Sequence, residues 1–249
     1  MTYFVPQLDG SKHQGDNCGP ASIAMALRWS TAHKVAPTPS EVRRAMGDPI
    51  GGTNIVDWPK GYDAFADDAK AEGFILREAK YQPGRSWEDL LGVLADGGAM
   101  CLVIDYSRVP DHLKGDRKFD GYHAVFVSRV RERGTATELR VWDPLCDGRR
   151  AGIPRGPLWY PKLTLKAAAA GYAGAGKAAY MRVVKATEIA PDPCGSSTRR
   201  INALEAALES ARSRLLDPSQ DVASVIADID ELIAPPETDP TATAGEGIV

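Results

Sequence analysis

A cysteine lies where a polar loop changes into an apolar helix. Cys18 follows the polar segment 14–17 and precedes the apolar run 21–27, which predicts that it occupies the first turn of a helix. The positive end of a helix dipole favours the thiolate, which is the reactive form of cysteine. Gln14, in the same loop, carries an amide that can donate a hydrogen bond to a developing oxyanion. These residues therefore predict a nucleophilic cysteine.

A nucleophilic cysteine needs a base and a group that orients the base. Among four histidines, His123 opens an apolar run that predicts a buried strand, and Asp143 follows the end of a second predicted strand. Gly134, between the strands, predicts the turn of a hairpin. Such a hairpin would bring Asp143 close to His123. We therefore expect a Cys–His–Asp triad, although geometry and not chain order defines one.

Each of these residues also has an ordinary structural interpretation. Cys18 could be a structural thiol at a helix start, His123 a core histidine, and Asp143 a turn residue before Pro144. Gln14 has the weakest individual signal. Their combination favours the catalytic interpretation.

The motifs resemble those of a known family. They are Gln14-x-x-Asn17-Cys18-Gly19-Pro20-Ala21-Ser22, then Gly121-Tyr122-His123-Ala124-Val125, then Val141-Trp142-Asp143-Pro144. This set resembles the bacteriocin-processing (C39-like) branch of the papain-like cysteine peptidases and covers roughly residues 1–188. The resemblance implies that Cys18 is the nucleophile, His123 the base, Asp143 the residue that orients it, and Gln14 part of the oxyanion hole. It also implies a papain-like fold.

The predicted elements give an α+β domain with helices packed on an antiparallel sheet. A capping-box pattern predicts that a helix starts at Thr38, the segment 86–89 predicts the start of a further helix, and Gly73 should end a helix over 60–72. The segment 163–177 is rich in Ala and Gly and fits either a helix or a loop. Strands are predicted over 74–81, 99–106, 122–131, 137–143 and 178–185.

Composition excludes several classes of function. The 249 residues have 43% hydrophobic and 25% charged content, which is ordinary for a globular protein. A net charge of −3 gives no reason to expect nucleic-acid binding. No apolar run approaches the ~20 residues that span a bilayer, and the first residues do not resemble a signal peptide. We therefore expect synthesis and retention in a cytoplasm, or export outside general secretion.

The cysteines indicate neither a metal site nor a disulfide framework. None of the four has metal-ligand spacing, and no cofactor is expected. Cys101 lies in a predicted core strand and should be an inert buried thiol. Cys146 is either an ordinary loop cysteine or a neighbour of the cleft. Cys194 lies in a Pro/Gly/Ser segment.

The composition changes after the predicted peptidase domain, 1–188. Residues 189–197 have the composition of a linker, and 236–249 that of a flexible tail. Between them, 198–235 carries two short apolar stripes at helical spacing. These helices would dock on the domain, form a hairpin, or associate with another chain, as a homo-oligomer or in a virion.

Three functions remain open at this point. The first is a thiol hydrolase that cleaves a peptide or peptidoglycan-stem amide. The second is a structural protein, such as a phage tail component, anchored by 198–235; a phage could also carry the hydrolase in its virion. The third is an acyl transferase that uses the same thioester. Substrate selection is expected from the loops 107–120 and 144–160, which mix charged and aromatic side chains.

Overall fold

The computed structural model describes residues 3–148 and 152–189. The chain divides into two units, Met1–Ile189 and Ala190–Val249, and the second lies outside the described residues. The predicted linker from residue 190 onwards, the segment 198–235, the tail 236–249 and Cys194 therefore stay predictions.

Six helices and eight strands form the described unit. The helices are α1 (Cys18–Ser30), α2 (Pro39–Ala45), α3 (Trp58–Asp63), α4 (Ala66–Ala71), α5 (Trp87–Ala95) and α6 (Lys162–Ala173). The strands are β1 (Phe74–Ile75), β2 (Lys80–Ser86), β3 (Ala99–Asp105), β4 (Tyr122–Arg133), β5 (Ala136–Trp142), β6 (Leu158–Pro161), β7 (Lys177–Val183) and β8 (Thr187–Glu188). Single 3-10 turns occur at 14–16, 55–57, 106–108 and 111–113.

An antiparallel sheet is the centre of the unit. Its six strands lie in the order β2-β7-β3-β4-β5-β6, and β1 pairs with β8 in a separate ribbon. All pairings are antiparallel, so the predicted α+β class with an antiparallel sheet is confirmed. None of the described helices is both long and apolar enough to cross a lipid bilayer.

The two faces of the sheet bury separate apolar cores because side chains alternate along a strand. In β3, Cys101 and Val103 belong to the core under α1, whereas Leu102 and Ile104 belong to the core under α5 and α6. The catalytic candidates lie where α1 approaches the start of β4.

Helix α1 is the central helix of the unit. Every residue from Gly19 to Leu27 is buried, because α2 and α3 pack on one side of it and the sheet packs on the other. Trp29 and Phe126 make an edge contact between α1 and β4, with ring centroids 6.0 Å apart. A helix that is apolar all round must be enclosed in this way, and this fixes the position of its first residue.

The predicted helix starts are confirmed at the level of individual hydrogen bonds. The Thr38 hydroxyl accepts from the Glu41 N–H, and the Glu41 carboxylate accepts from the Thr38 N–H. Ser86 and Asp89 form the same reciprocal pair at the start of α5. These helix starts could be predicted from the sequence because both partners of each pair lie within one helical turn.

Two predicted elements differ from the structure, and a third segment that was left open is decided by it. The helix over 60–72 is split into α3 and α4 at Ala64 and Phe65, and Phe65 has non-helical backbone angles (φ −97°, ψ 16°). The strand over 74–81 is interrupted, because β1 pairs with β8 and β2 with β7. The segment 163–177 forms a helix for most of its length, up to Ala173.

Candidate active site

Cys18 is the first residue of α1 and its side chain is partly exposed. The N–H groups at a helix start have no partner within the helix, and the Gly19 N–H hydrogen-bonds the Cys18 side chain, as does the Ala124 N–H of β4. Asn17, the residue before it, is fully buried but does not cap the helix through its side chain. A nucleophile here combines access to solvent with the favourable end of the helix dipole.

His123 lies between Cys18 and Asp143. Its Nε2 is 2.8 Å from Asp143 Oδ1, and its ring also makes a hydrogen bond with the Cys18 side chain. Because Nε2 faces the carboxylate, Nδ1 is the nitrogen left for the sulfur. The imidazole is 2% exposed and Asp143 is 1% exposed, whereas Cys18 is half-buried.

The electrostatics of the three groups reinforce one another. Burial opposes the thiolate, but the hydrogen bond and charge of His123 outweigh it and lower the pKa of Cys18. Burial likewise opposes the imidazolium, but the Asp143 carboxylate outweighs it and raises the pKa of His123 to about 10. Burial would raise the pKa of Asp143, yet the charge of His123 holds it below its usual value. The arrangement therefore favours a thiolate–imidazolium pair next to an ionised carboxylate.

Asp143 is held by groups other than His123. Its Oδ1 also accepts a 2.8 Å bond from the Leu145 N–H, and its Oδ2 accepts a short bond from the Tyr106 hydroxyl. The Tyr106 oxygen in turn accepts from the Gly115 N–H at 2.7 Å. A buried carboxylate needs such donors to remain ionised. Tyr106 thus positions Asp143, which in turn positions His123.

Aromatic rings enclose the imidazole. The Tyr106 ring lies 4.7 Å from the His123 ring, and the Phe119 ring lies 5.8 Å from it in an edge arrangement. Phe119 remains partly open to solvent and belongs to the loop 107–120, which was predicted to select substrate. It therefore borders the exposed edge of the site. Gly121 lets the Phe119 ring lie close to the backbone, since a Cβ at that position would come within 3.1 Å of the ring.

A buried arginine fixes the loop before the cysteine. Arg43, in α2, is 1% exposed. Its Nε donates to Asn17 Oδ1 at 2.7 Å and one terminal nitrogen donates to the Asp16 carbonyl at 2.7 Å. The other terminal nitrogen donates to the carbonyls of Pro49 and Gly51. The guanidinium therefore ties the entry to α1 to the loop 47–54.

The same loop also approaches the residue after Cys18. A Cβ on Gly19 would collide with the Thr53 hydroxyl and the Trp58 indole, so only glycine fits after the cysteine. Ile50, in this loop, is 95% exposed, although its side chain is apolar. Two loops next to the site therefore each present an exposed apolar side chain: Phe119 beside His123, and Ile50 in the loop that reaches Gly19 through Thr53.

Gln14 lies in the 3-10 turn that precedes Cys18, and it is exposed. Its Oε1 accepts from the Gly10 N–H at 3.1 Å, which leaves Nε2 as the donating end of the amide. The buried Gln7 side chain donates to the carbonyls of Gln14 and Gly15. The turn is therefore anchored, but no described contact joins Gln14 to Cys18.

The remaining thiols have a different character. Cys101 is fully buried, and burial alone raises its pKa far above the ordinary value, as expected of an inert core thiol. Cys146 is also buried, with its sulfur 3.8 Å from the Leu113 carbonyl oxygen. Of the described cysteines, Cys18 is the one that is not buried. Within 3–148 and 152–189, no cluster of His, Cys, Asp and Glu could hold a metal ion.

Two residues that support this site, Tyr106 and Arg43, were not predicted from the sequence. Tyr106 follows β3 directly, and its role depends on a contact with Asp143 that no local pattern encodes. Arg43 occupies the same face of α2 as Val42 and Met46, both buried. A charged residue within a buried helical face was the available signal, since arginine is seldom buried without partners.

Comparisons with known proteins do not assign the chain to a family. No protein-family model matches it, and no curated protein matches it. Among solved structures, it is similar to a chain from Bacillus anthracis that is provisionally described as a C39-like peptidase. The identity is 13%, the TM-score is 0.46, and the match covers 74% of this chain and 95% of the other. At this level of similarity, the argument for function rests on the site itself.

Proposed function

We propose that the protein is a papain-like cysteine hydrolase that cleaves a peptide or peptidoglycan-stem amide. One observation carries the proposal: a partly exposed thiol at a helix start, a buried imidazole and a buried carboxylate are joined by consecutive hydrogen bonds. A purely structural trio would have no need of an accessible thiol with a lowered pKa.

Catalysis would begin with the thiolate of Cys18. Its sulfur attacks the amide carbonyl, a C–S bond forms, and the carbonyl oxygen becomes an oxyanion. The Cys18 N–H and the Gln14 Nε2 donate to this oxygen. His123 then transfers its proton to the amide nitrogen, the C–N bond breaks, and the amine leaves.

Water completes the cycle. His123, now neutral, accepts a proton from a water molecule as it attacks the thioester, and the C–S bond breaks. The acyl group leaves as a carboxylic acid, which gives its proton to solvent, and the thiolate–imidazolium pair is restored. Asp143 keeps the imidazole oriented and favours its charged form throughout, without itself taking the proton.

The surroundings of the thiol favour an extended chain as substrate. Phe119 borders His123, and the loop that carries Ile50 reaches Gly19 through Thr53. A peptide that lies between these loops would place side chains against both apolar surfaces. We therefore propose that the residues next to the cleaved amide are apolar or small and uncharged.

Cleavage of unlabelled substrates tests the proposal. Wild type and Cys18→Ala are incubated with a mixed peptide library and with purified peptidoglycan, and new amino termini are identified by mass spectrometry. The proposal requires new termini with wild type and none with Cys18→Ala, which should fold normally because a partly exposed residue at a helix start is replaced by a small one. Termini that appear equally with both proteins would refute it.

An added amine separates the hydrolase from an acyl transferase. Hydroxylamine in the same reaction competes with water for the thioester. A hydrolase should still release mainly carboxylate at low hydroxylamine concentrations. Quantitative capture at those concentrations would instead identify a transferase that excludes water.

A further inference from the structure

A cleft that is remote from the candidate active site is lined by basic and aromatic side chains. It has a volume of about 540 Å³. Its lining includes Trp29 at the end of α1, Ser128, Arg129 and Arg131 of β4, Trp159 of β6, and Lys185. Among its described lining residues there is no Asp or Glu.

The positive charges in this cleft are brought together against their mutual repulsion. Arg129 is paired directly with Arg140 across β4 and β5, just after an irregularity in the strand register. Like charges opposite each other on neighbouring strands destabilise a sheet. The charge of Arg129, after burial, lowers the pKa of both Arg140 and Lys185. Three cations are therefore close enough to affect one another.

Arg131 shows what a compensated cation looks like in the same strand. It is 2.7 Å from the Glu138 carboxylate and stacks 3.8 Å above the Trp159 ring. Arg129 has no such carboxylate among the described contacts, and its side chain is exposed. The arrangement thus leaves one cationic side chain open to a ligand.

Lys185 faces Arg129 from outside the sheet. Its ammonium lies 4.1 Å from the centre of the Trp29 ring and donates a hydrogen bond to the Trp29 carbonyl. An ammonium has three protons, so Lys185 can serve the end of α1 and still donate to a ligand. The Ser128 hydroxyl, which accepts from the Trp142 indole, can donate its own proton.

We propose that this cleft binds a small multivalent oxyanion, whose phosphate or carboxylate oxygens lie between Arg129 and Lys185. Arg129 supplies the paired N–H groups that fit two oxygens, and Lys185 supplies a point charge. Arg140 adds positive potential from the neighbouring strand.

The ligand cannot take part in the chemistry at Cys18. Trp29 is about 16 Å along α1 from Cys18 at 1.5 Å per residue, and Arg129 is about 20 Å along β4 from His123 at 3.3 Å per residue. The cleft nevertheless involves both elements that carry these residues. An anion bound there would therefore stabilise α1 against β4, and it would do so independently of the hydrolase function.

Thermal unfolding of the full chain in pyrophosphate, citrate and sodium chloride at equal ionic strength tests the site. We expect pyrophosphate to raise the unfolding midpoint of wild type in a saturable way that chloride does not reproduce. An equal response to citrate would extend the site to carboxylates, and a response to pyrophosphate alone would restrict it to phosphates. Midpoints in pyrophosphate and citrate that match those in chloride would overturn the proposal.

Variants distinguish a specific anion-binding site from a general screening of surface charge by salt. Arg129→Gln should bind pyrophosphate at least roughly tenfold more weakly, since it loses a charged hydrogen-bonding partner. Without ligand at low salt, it should unfold at a higher temperature than wild type, because it no longer repels Arg140 and Lys185. Arg133→Gln, at an exposed arginine four residues further along β4, is the matched control and should respond like wild type.

Two further results would overturn the assignment. One is an undiminished pyrophosphate response in Arg129→Gln, and the other is an equal loss of response in Arg133→Gln. Cys18→Ala should keep the full response. The test of the anion site is therefore independent of the test of the proposed hydrolase function.

Discussion

The hydroxyl of Tyr106 donates a short hydrogen bond to the Asp143 carboxylate, on the oxygen that His123 does not use. The two oxygens of Asp143 are thus divided between the imidazole on one side and a phenol that is fixed by the Gly115 N–H on the other. The orientation of the imidazole is set by this divided carboxylate, and the pKa of the thiol depends on the charge of the imidazole.

Tyr106→Phe tests this dependence. The change removes one donor to Asp143, so we expect a weaker carboxylate–imidazolium pair, a higher pKa of Cys18 and a loss of about 1–2 kcal/mol in the free energy of unfolding. Tyr160→Phe is the matched control: Tyr160 is an equally buried tyrosine whose hydroxyl donates to the Leu113 carbonyl at 2.8 Å. It should lose similar stability. An unchanged thiol pKa in Tyr106→Phe, or an equal shift in Tyr160→Phe, would show that Tyr106 has a packing role only.

Asp143→Asn should change how stability depends on pH. The pKa of Asp143 is lowered by folding, so its contribution is fully present above the unfolded pKa of about 3.9 and is lost as pH falls below it. Denaturant unfolding should therefore show that wild type has a higher free energy of unfolding than Asp143→Asn. This difference should be constant near neutral pH and become smaller in acid. Asp120→Asn, an exposed carboxylate, should show no comparable gap. A gap for Asp143→Asn that does not vary with pH would contradict an ionised, paired carboxylate.

Arg43→Met tests whether the loop before the nucleophile is fixed by the guanidinium. The variant keeps much of the apolar stem but leaves the Asn17 side chain and three backbone carbonyls without their donor. We expect a loss of about 3 kcal/mol in stability and a slower reaction of Cys18 with alkylating agents. Arg44→Met, the exposed neighbour in α2, should change neither. Equal effects of the two substitutions would remove the positioning role of Arg43.

Truncation after Ile189 tests the predicted domain organisation. The chain divides into two units at this point, and every residue of the candidate triad lies in the first. We expect the truncated chain to fold and its thiol to react as in the full chain. Light scattering on both forms would show whether residues 198–235 mediate association. An unfolded truncated chain would mean that this segment belongs to the core.

The sequence predicted the local features of this protein and missed its long-range contacts. The cap pairs Thr38–Glu41 and Ser86–Asp89 are encoded within one turn. The proximity of His123 and Asp143 was predicted because a single hairpin joins their strands. Tyr106 could not be placed on Asp143 from the sequence, since that contact joins residues 37 positions apart.

Strand partners account for the errors in the fold. The segment 74–81 has the composition of one strand, yet its two ends pair with different strands. The strand β6 was not predicted, because four residues with a proline carry little periodic signal. Its place at the edge of the sheet comes from pairing with β5.

The rate of Cys18 alkylation against pH, in wild type and in His123→Ala, tests the central claim most directly because it requires no known substrate. Iodoacetamide labelling with peptide mass mapping should identify Cys18 as the most reactive thiol. The wild-type rate should titrate below the ordinary thiol pKa of about 8.5. His123→Ala should react more slowly near neutral pH and titrate near that ordinary value, whereas His112→Ala, an exposed histidine, should match wild type. Identical profiles in wild type and His123→Ala, both with an ordinary thiol pKa, would show that there is no Cys–His pair and would contradict the hydrolase.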